Sequence, residues 1–477
     1  MNQAENTRGK GGNTRWVICG LLFALVALSY IDRLIIGILK KPIGEQLGWS
    51  EVDYGNIAAA FSYAYAFGYL FAGRAVERLR VKRGLPIFFS VWCLAVASHG
   101  LISFIGKDQV MHLPWFSWGE NGLQWATFVM PMTAFGFVSA RAILGLAEGA
   151  NFPAAIRTVA AWFPVKERAL ATGLFNAGTN VGAVLCPIGV PWIYKEYGWP
   201  KTFYFTGALG FLWLIGWWFL YDEPEKHRLL SADELAYIRS GQPQVVLQTK
   251  RVPWLALLRY RPVWAYILAS MLAGPAWGFY QFFLPDFLEK RFHLKTLQET
   301  GWWTGLFFAL TAIGGIGGGW LAGALLRRGW NLNAARKISL LLCAAAVVPV
   351  FTAPFASTVL IAVLIVGLAG AAHQGWSANL YSVVSDTMPK ETISSVIGLG
   401  GFICYFTGGV VSNATGHILQ KTGSYVPVFA YFSGMYVLSL ILLQLLIPRI
   451  GNGDDDPKPP DAGASTPAAE PSAAERK

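Results

Sequence analysis

The stretch WVICGLLFALVALSYIDRLIIGILK, residues 16–40, decides the class of this protein. It is apolar for long enough to cross a bilayer, which takes about 20 residues. Two-thirds of the way along, it carries Asp32 and Arg33 side by side. A basic stretch precedes it, as in a secretion signal, but it runs on through Ser29-Tyr30-Ile31-Asp32-Arg33 with no small-residue cleavage site. It therefore reads as a retained membrane helix with charge inside it.

The rest of the chain agrees. Of 477 residues, 54% are hydrophobic and only 14% charged, and the mean hydropathy is +0.43. A soluble domain carries about 25% charged residues. The 52 glycines and 20 tryptophans suit closely packed membrane helices anchored at the headgroups. The net charge of +11 sits in short Lys/Arg clusters between apolar runs, so it reads as basic loops at a membrane face rather than as a nucleic-acid surface. Cys19, Cys93, Cys186, Cys343 and Cys404 lie inside apolar segments at unrelated spacings, which excludes a disulfide framework and gives no metal-ligand pattern.

Apolar runs of spanning length fall near 16–40, 54–76, 85–105, 126–150, 168–192 and 201–221, then near 262–285, 301–326, 336–353, 357–381, 392–416 and 425–448. They predict an all-α membrane protein of twelve transmembrane helices in two six-helix, pseudo-symmetric halves. Residues 1–15 form an N-terminal tail, 16–221 the first half, 222–261 a linker, 262–449 the second half and 450–477 a disordered tail rich in Asp, Pro, Ala and Ser. An insertion near 106–125 separates the third and fourth runs. With the N-terminus inside, roughly 27 Lys and Arg fall on the cytoplasmic side, about 9 outside and about 2 within the membrane. That excess predicts a multi-pass protein of the inner (plasma) membrane with both termini cytoplasmic. The halves echo one another: Gly68-Tyr-Leu-Phe-Ala-Gly73 precedes a basic loop, as does Gly319-Trp-Leu-Ala-Gly323.

Ionisable residues at membrane depth cost about 2.5–3.5 kcal/mol each on an insertion scale unless paired or wet. The first run holds Asp32 and Arg33; the fourth holds Arg141 and Glu148, spaced seven apart and so on one helical face. Static ion pairs joining two helices are one reading. The other is a transport site, because arginine binds a carboxylate through two parallel hydrogen bonds while a buried carboxyl can load and release a proton. The second half offers aromatic and neutral polar groups instead: Trp277, Tyr280 and Gln281, then His373, Gln374, Trp376, Ser377 and Asn379. These suit a polyhydroxylated solute or, alternatively, hydrogen bonds between helices. No nucleotide-binding Gly-Lys-Ser/Thr loop and no His-Glu-x-x-His occurs, so nothing marks an enzyme or an ATP-driven pump.

The runs Arg141-Ala-Ile-Leu-Gly-Leu-Ala-Glu148-Gly-Ala-Asn-Phe-Pro153 and Trp162–Gly182 resemble the anion:cation symporter branch of the major facilitator superfamily. Ala372-His-Gln-Gly-Trp-Ser-Ala-Asn379, with Val384-Ser-Asp386, is similar to its hexuronate transporters. The resemblance implies proton-coupled uptake of a sugar acid such as glucuronate or galacturonate by alternating access. It needs no cofactor or metal beyond the coupling proton, and it implies a monomer in the lipid bilayer. It makes Asp32 and Glu148 the proton carriers, Arg33 the partner of Glu148 and Arg141 the holder of the substrate carboxylate. Tyr30, Tyr65, Thr179 and Asn180 would line the cavity, and Gly73, Glu77 and Arg78 would belong to a gating loop. Glu77 and Arg80 depart from the loop pattern, which has Asp and Gly there. Gly274 stands where Asp is expected, and Gln281 where an apolar residue is usual. A carrier of another organic anion (an aldonate, a dicarboxylate or an aromatic acid) on the same scaffold is the alternative, and a non-transporting sensor is a remoter one.

Overall fold

A chain in lipid must satisfy its own backbone polar groups, and apolar runs of this length do so as helices. The computed structural model describes residues 13–119, 122–240 and 254–450. In the first half, α1 covers Thr14–Ile38, α2 Lys40–Leu47, α3 Glu51–Leu79 and α4 Val81–Leu101. After a hairpin come α5 (Met132–Glu148), α6 (Asn151–Trp162) and α7 (Val165–Leu220). The linker holds α8 (Ala232–Arg239) and a single turn, α9 (Trp254–Leu257). The second half contains α10 (Arg261–Ala273), α11 (Pro275–Phe282), α12 (Leu284–Phe292), α13 (Leu297–Arg327), α14 (Leu332–Val347), α15 (Val359–Thr387), α16 (Lys390–Thr422) and α17 (Val426–Leu446). Local chemistry sets several starts. Ser50 and Asp53 cap α3 reciprocally, and Ser231, Thr296, Asn331 and Thr358 each accept a backbone N–H of the helix that follows.

Among the described residues, eight helices are long and apolar enough to cross a membrane. The number is nine if Arg261–Phe282 and Leu284–Phe292, which meet at 60°, form one broken span. Length and composition alone thus give fewer spans than the twelve expected. Part of the difference is α7: its 56 residues hold the expected fifth and sixth runs, and Gly198, at φ 74°, breaks the helix between them. The expected second run lies in α3, and the helical part of the fourth is α5.

Two expectations are corrected. The protein is not wholly α, because β1 (Val110–Gly119) and β2 (Gly122–Pro131) form an antiparallel hairpin in register from Val110↔Pro131 to Gly119↔Gly122. The run expected as a helix from 126 therefore starts at Met132. Alternation explains the change: Met130 is buried and Met111, Leu113 and Phe128 pack on the core, whereas Val110 and Val129 stay half exposed. The seventh run is not one helix but breaks at Phe283, just before Pro285. Within the linker, α8 docks on the first half. Glu234 is fully buried and accepts Arg15 Nη1 at 3.1 Å, while Arg15 Nε bonds Glu167 at 2.9 Å. The terminal tails lie almost wholly outside the described residues.

The duplication shows in packing. In the first half, a Cβ on Gly149 would lie 2.4 Å from the backbone of Gly68, so the α5 end must touch α3. In the second half, a Cβ on Gly318 of α13 would lie 2.1 Å from Gly375 of α15. The second and fourth runs of each half thus meet through paired glycines.

Candidate functional site

Ser29, Asp32 and Arg33 fall at i, i+3 and i+4 of α1, so they share one face. Arg141 and Glu148 share a face of α5, and the two faces meet. All four charged residues are buried, none more than 5% exposed. Arg33 Nη2 reaches Glu148 Oε1 at 2.5 Å, and the Ser29 hydroxyl donates to the same oxygen. Rings enclose the Arg33 guanidinium: Tyr65 at 4.8 Å, Tyr30 at 4.9 Å and Phe61 at 5.2 Å. Cation–π contact of this kind partly replaces lost hydration.

Arg141, expected to hold a substrate carboxylate, lies against the α1 backbone. Its two Nη atoms donate to the α1 backbone carbonyls of Asp32 (3.4 Å) and Arg33 (3.3 Å), with the rings of Phe61 at 4.6 Å and Phe282 at 5.4 Å. It braces α1 from behind the Arg33–Glu148 pair. The Asp32 carboxylate turns toward Thr206 and Trp92, and its Oδ1 has no hydrogen-bond partner among the described residues. Glu148 Oε2, Arg33 Nε and Arg141 Nε are likewise unpartnered. Buried polar atoms of this sort are costly, and where they cluster they mark a place for water, a proton or a ligand.

In the second half the candidates divide. His373 Nδ1 meets the Tyr436 hydroxyl at 2.5 Å, that hydroxyl reaches the Ala273 carbonyl at 3.2 Å, and Trp277 stacks on the imidazole at 5.5 Å and 4°. Asn379 Nδ2 donates to the Gly318 and Gly375 carbonyls at 3.0 and 2.9 Å, joining α15 to α13. Tyr280, Gln281 and Trp376 are buried, and each keeps an unpartnered polar atom (the Tyr280 hydroxyl, Gln281 Nε2 and Trp376 Nε1). Gln374 and Ser377 are half-buried. On α7, Thr179 donates to the Asn176 carbonyl at 2.8 Å and Asn180 is half-buried.

This arrangement of two packed halves with a charged cluster in the first can be compared with known proteins. A sequence model of the Major Facilitator Superfamily matches residues 22–413. The chain belongs to the major facilitator superfamily. It is a multi-pass membrane transporter and not an enzyme. It is 28% identical over 443 residues, 91% of this chain and 94% of the relative, to the hexuronate transporter of Escherichia coli K12. It is 31% identical to the galacturonate transporter of Dickeya chrysanthemi, over 72% of this chain and 92% of that one. Among solved structures, a D-xylose-proton symporter superposes with a TM-score of 0.68 at 13% identity, covering 91% of this chain and 98% of that chain, which speaks for the fold alone.

Within this major facilitator chain, the surroundings of Gly73 and Glu77 in the expected gating loop lie outside what is described, and Arg78 is exposed at the end of α3. Among the described residues no group of three or more His, Cys, Asp or Glu is placed to hold a metal ion. Sequence reasoning missed Ser29, although its place one turn before Asp32 and Arg33 was visible. It also missed Phe61, Phe282 and Tyr405. Tyr405 belongs to the second half and its ring lies 4.4 Å from Tyr65, so both halves wall the space beside Arg33.

Proposed function

We propose that this transporter carries out proton-coupled uptake of a sugar acid, a hexuronate such as glucuronate or galacturonate, by alternating access. The observation that carries the reading is the buried Arg33–Glu148 pair beside an Asp32 carboxylate whose Oδ1 has no hydrogen-bond partner among the described residues. A substrate carboxylate arriving at Arg33 competes with Glu148, and a proton on Glu148 frees the arginine for it. Asp32, on the same helix face, is the second proton carrier, and Arg141 keeps α1 in register while the exchange occurs. Tyr30, Tyr65 and Tyr405 supply rings and hydroxyls suited to a hydroxylated chain. Both termini face the cytoplasm in this reading, and proton release there lets the anion leave.

Support also comes from the relatives named for hexuronate and galacturonate. A second substrate reading, an aldarate or aldonate, is favoured by relatives named for galactarate/D-glucarate at 27% identity and D-galactonate at 27%. The deciding experiment is uptake of labelled glucuronate, galacturonate, galactarate and galactonate into proteoliposomes, with and without an inward proton gradient. Accumulation of a uronate above equilibrium, abolished by a protonophore, supports the proposal. Accumulation of the aldarate or aldonate alone moves the substrate, and gradient-independent equilibration removes the proton coupling.

A further inference from the structure

Arg33 and Asp32 are neighbours on α1, but their side chains enter different surroundings. Arg33 lies among Tyr30, Tyr65 and Phe61, beside a space that Tyr405 of the second half also walls. The Asp32 carboxylate turns into the interior of the first half, toward Trp92 of α4 and Thr206 of α7. The thiols of Cys93 on α4 and Cys186 on α7 are within its electrostatic reach, as are Arg141 and Glu148 of α5. A proton bound for Asp32 therefore need not share the space beside Arg33.

The same interior holds a fully buried histidine that the transport cycle has not used. His99 follows Trp92 by seven residues on α4, so the two share a face. Its Nδ1 lies 2.7 Å from the Ala95 carbonyl and 3.2 Å from that of Val96. A carbonyl only accepts, so Nδ1 carries the hydrogen and the neutral ring keeps a bare acceptor at Nε2. Nε2 has no hydrogen-bond partner among the described residues, and neither do Asp32 Oδ1, Trp92 Nε1 and Arg141 Nε. Arg141 interacts electrostatically with both Asp32 and His99. Two orphaned acceptors and two orphaned donors supply the roughly two to four partners that a buried water takes.

His99 also stands on the hairpin side of Asp32. Its ring stacks on Phe203 at 4.9 Å and meets Phe137 at 5.1 Å edge-on. Phe203 and Phe137 lie one helical turn nearer the hairpin end than Thr206 and Arg141 respectively. Beyond them a cavity of about 640 Å³ opens at that end, lined in part by Gln46, Trp199 and Pro200. A Cβ on Gly100, the residue after His99, would come within 2.7 Å of the Pro200 carbonyl, so α4 touches the cavity lining right beside the imidazole. The hydroxyls of Thr133 and Thr202 are fully buried at the same level.

We propose that His99 relays protons between the hairpin end and Asp32 through the interior of the first half, apart from the solute's route. Nε2 takes a proton from water at the hairpin end and forms the imidazolium. It then gives that proton, through a bound water, to the Asp32 carboxylate, which becomes the neutral acid while His99 returns to its Nδ1–H form. Only N–H and O–H bonds form or break.

The inference rests on the proton coupling proposed above, and the test separates the two. Parent protein in proteoliposomes that accumulates neither labelled glucuronate nor galacturonate under an inward proton gradient overturns that coupling, and the relay with it. Where the parent does accumulate one, His99→Asn keeps a donor for the Ala95 carbonyl but loses the proton acceptor. Its gradient-driven uptake is expected to fall at least tenfold, while exchange of the same anion at equal pH on both sides stays within twofold of the parent. His99→Gln repeats the test if His99→Asn lowers the melting temperature. In His99→Ala, added imidazole is expected to raise gradient-driven uptake at least threefold and pyrrole, of the same size but without the basic nitrogen, not at all, each against the parent with the same additive. Parent-like gradient-driven uptake in His99→Asn would overturn the relay alone. Exchange lost together with uptake, or rescue by pyrrole as good as by imidazole, would make His99 a packing residue and overturn it equally.

Discussion

The Arg33–Glu148 pair allows a quantitative test that does not depend on the substrate. Glu148→Gln keeps an oxygen for Ser29 and Arg33 but leaves the guanidinium, 2% exposed, without its counter-charge. Arg33→Gln leaves the carboxylate bare. Removing one member of a buried pair costs about 3–5 kcal/mol. Arg33→Gln also loses ring contacts at 4.8, 4.9 and 5.2 Å, each worth about 0.5–2 kcal/mol, so it is expected to be the more damaging single change. The double variant removes both charges and leaves two amides in hydrogen-bonding reach, so its cost should fall well below the sum of the two single costs.

The expected signature is a coupling of about 3 kcal/mol, about 150-fold in the unfolding equilibrium, opposing the sum of the single effects. The assay is reversible unfolding in mixed micelles followed by circular dichroism, with all four proteins at one pH. Additive effects, within about 0.5 kcal/mol, would refute the argument, because they would show that each charge is solvated independently of the other.

Other outcomes follow from the same geometry. Asp32→Asn is expected to abolish uptake against a gradient while leaving substrate exchange measurable; unchanged concentrative uptake would remove Asp32 from the coupling. Arg141→Lys replaces a fork on two backbone carbonyls by a single ammonium, and is expected to weaken substrate binding at least tenfold by loosening α1 under Arg33; wild-type affinity, measured calorimetrically, would show that the brace is dispensable. Outside the spans, burial tends to raise the Asp222 carboxyl, but the Lys82 bond at 2.5 Å and the Glu223 N–H outweigh it and hold it below the usual carboxylate range. Its contribution is therefore present above about pH 4 and fades as pH falls through the lowered value. With both side chains partly exposed, Asp222→Asn should cost less than about 1 kcal/mol at pH 7 and nothing in strong acid, as read from unfolding midpoints.

How far the sequence could be read depended on whether the signal was local. Apolar runs and their polar punctuation are sums over neighbours, so the membrane class, the two halves and the helix-bound charges were visible. The β-hairpin was not, because Phe128, Val129 and Met130 merge with the apolar run of α5 in any such sum, and only the alternation from 110 onward separates them. The break in the seventh run had a signal in Pro275 and Pro285, which was passed over for a continuous span. Glu148 as the partner of Arg33 came from a family resemblance, and the geometry agrees. That Arg141 braces backbone carbonyls while Asp32 points elsewhere depends on side-chain direction, which spacing does not determine. The Lys40–Asp286 pair was beyond reach, since the two residues are 246 apart and each looks like an ordinary helix-end charge.

Charge counting in the cluster leads to the coupling stoichiometry. Asp32 and Glu148 offset Arg33 and Arg141, so the site is neutral when all four are ionised, and burial makes any departure from neutrality costly. Docking a monoanion on that site creates one excess negative charge, and a single proton on either carboxylate cancels it. A dianion creates two, and the cluster has two carboxylates to protonate. Under the proposed symport, a uronate is therefore expected to move with one proton and no net charge. An aldarate is expected to move with two, again without net charge. The potential is worth about 2.3 kcal/mol per charge per 100 mV, so a valinomycin-imposed potassium potential distinguishes the cases. Uronate accumulation that ignores the potential but follows the pH gradient fits one proton per carboxylate. Accumulation that rises with an inside-negative potential means that a second positive charge crosses, and then the cluster does not hold itself neutral.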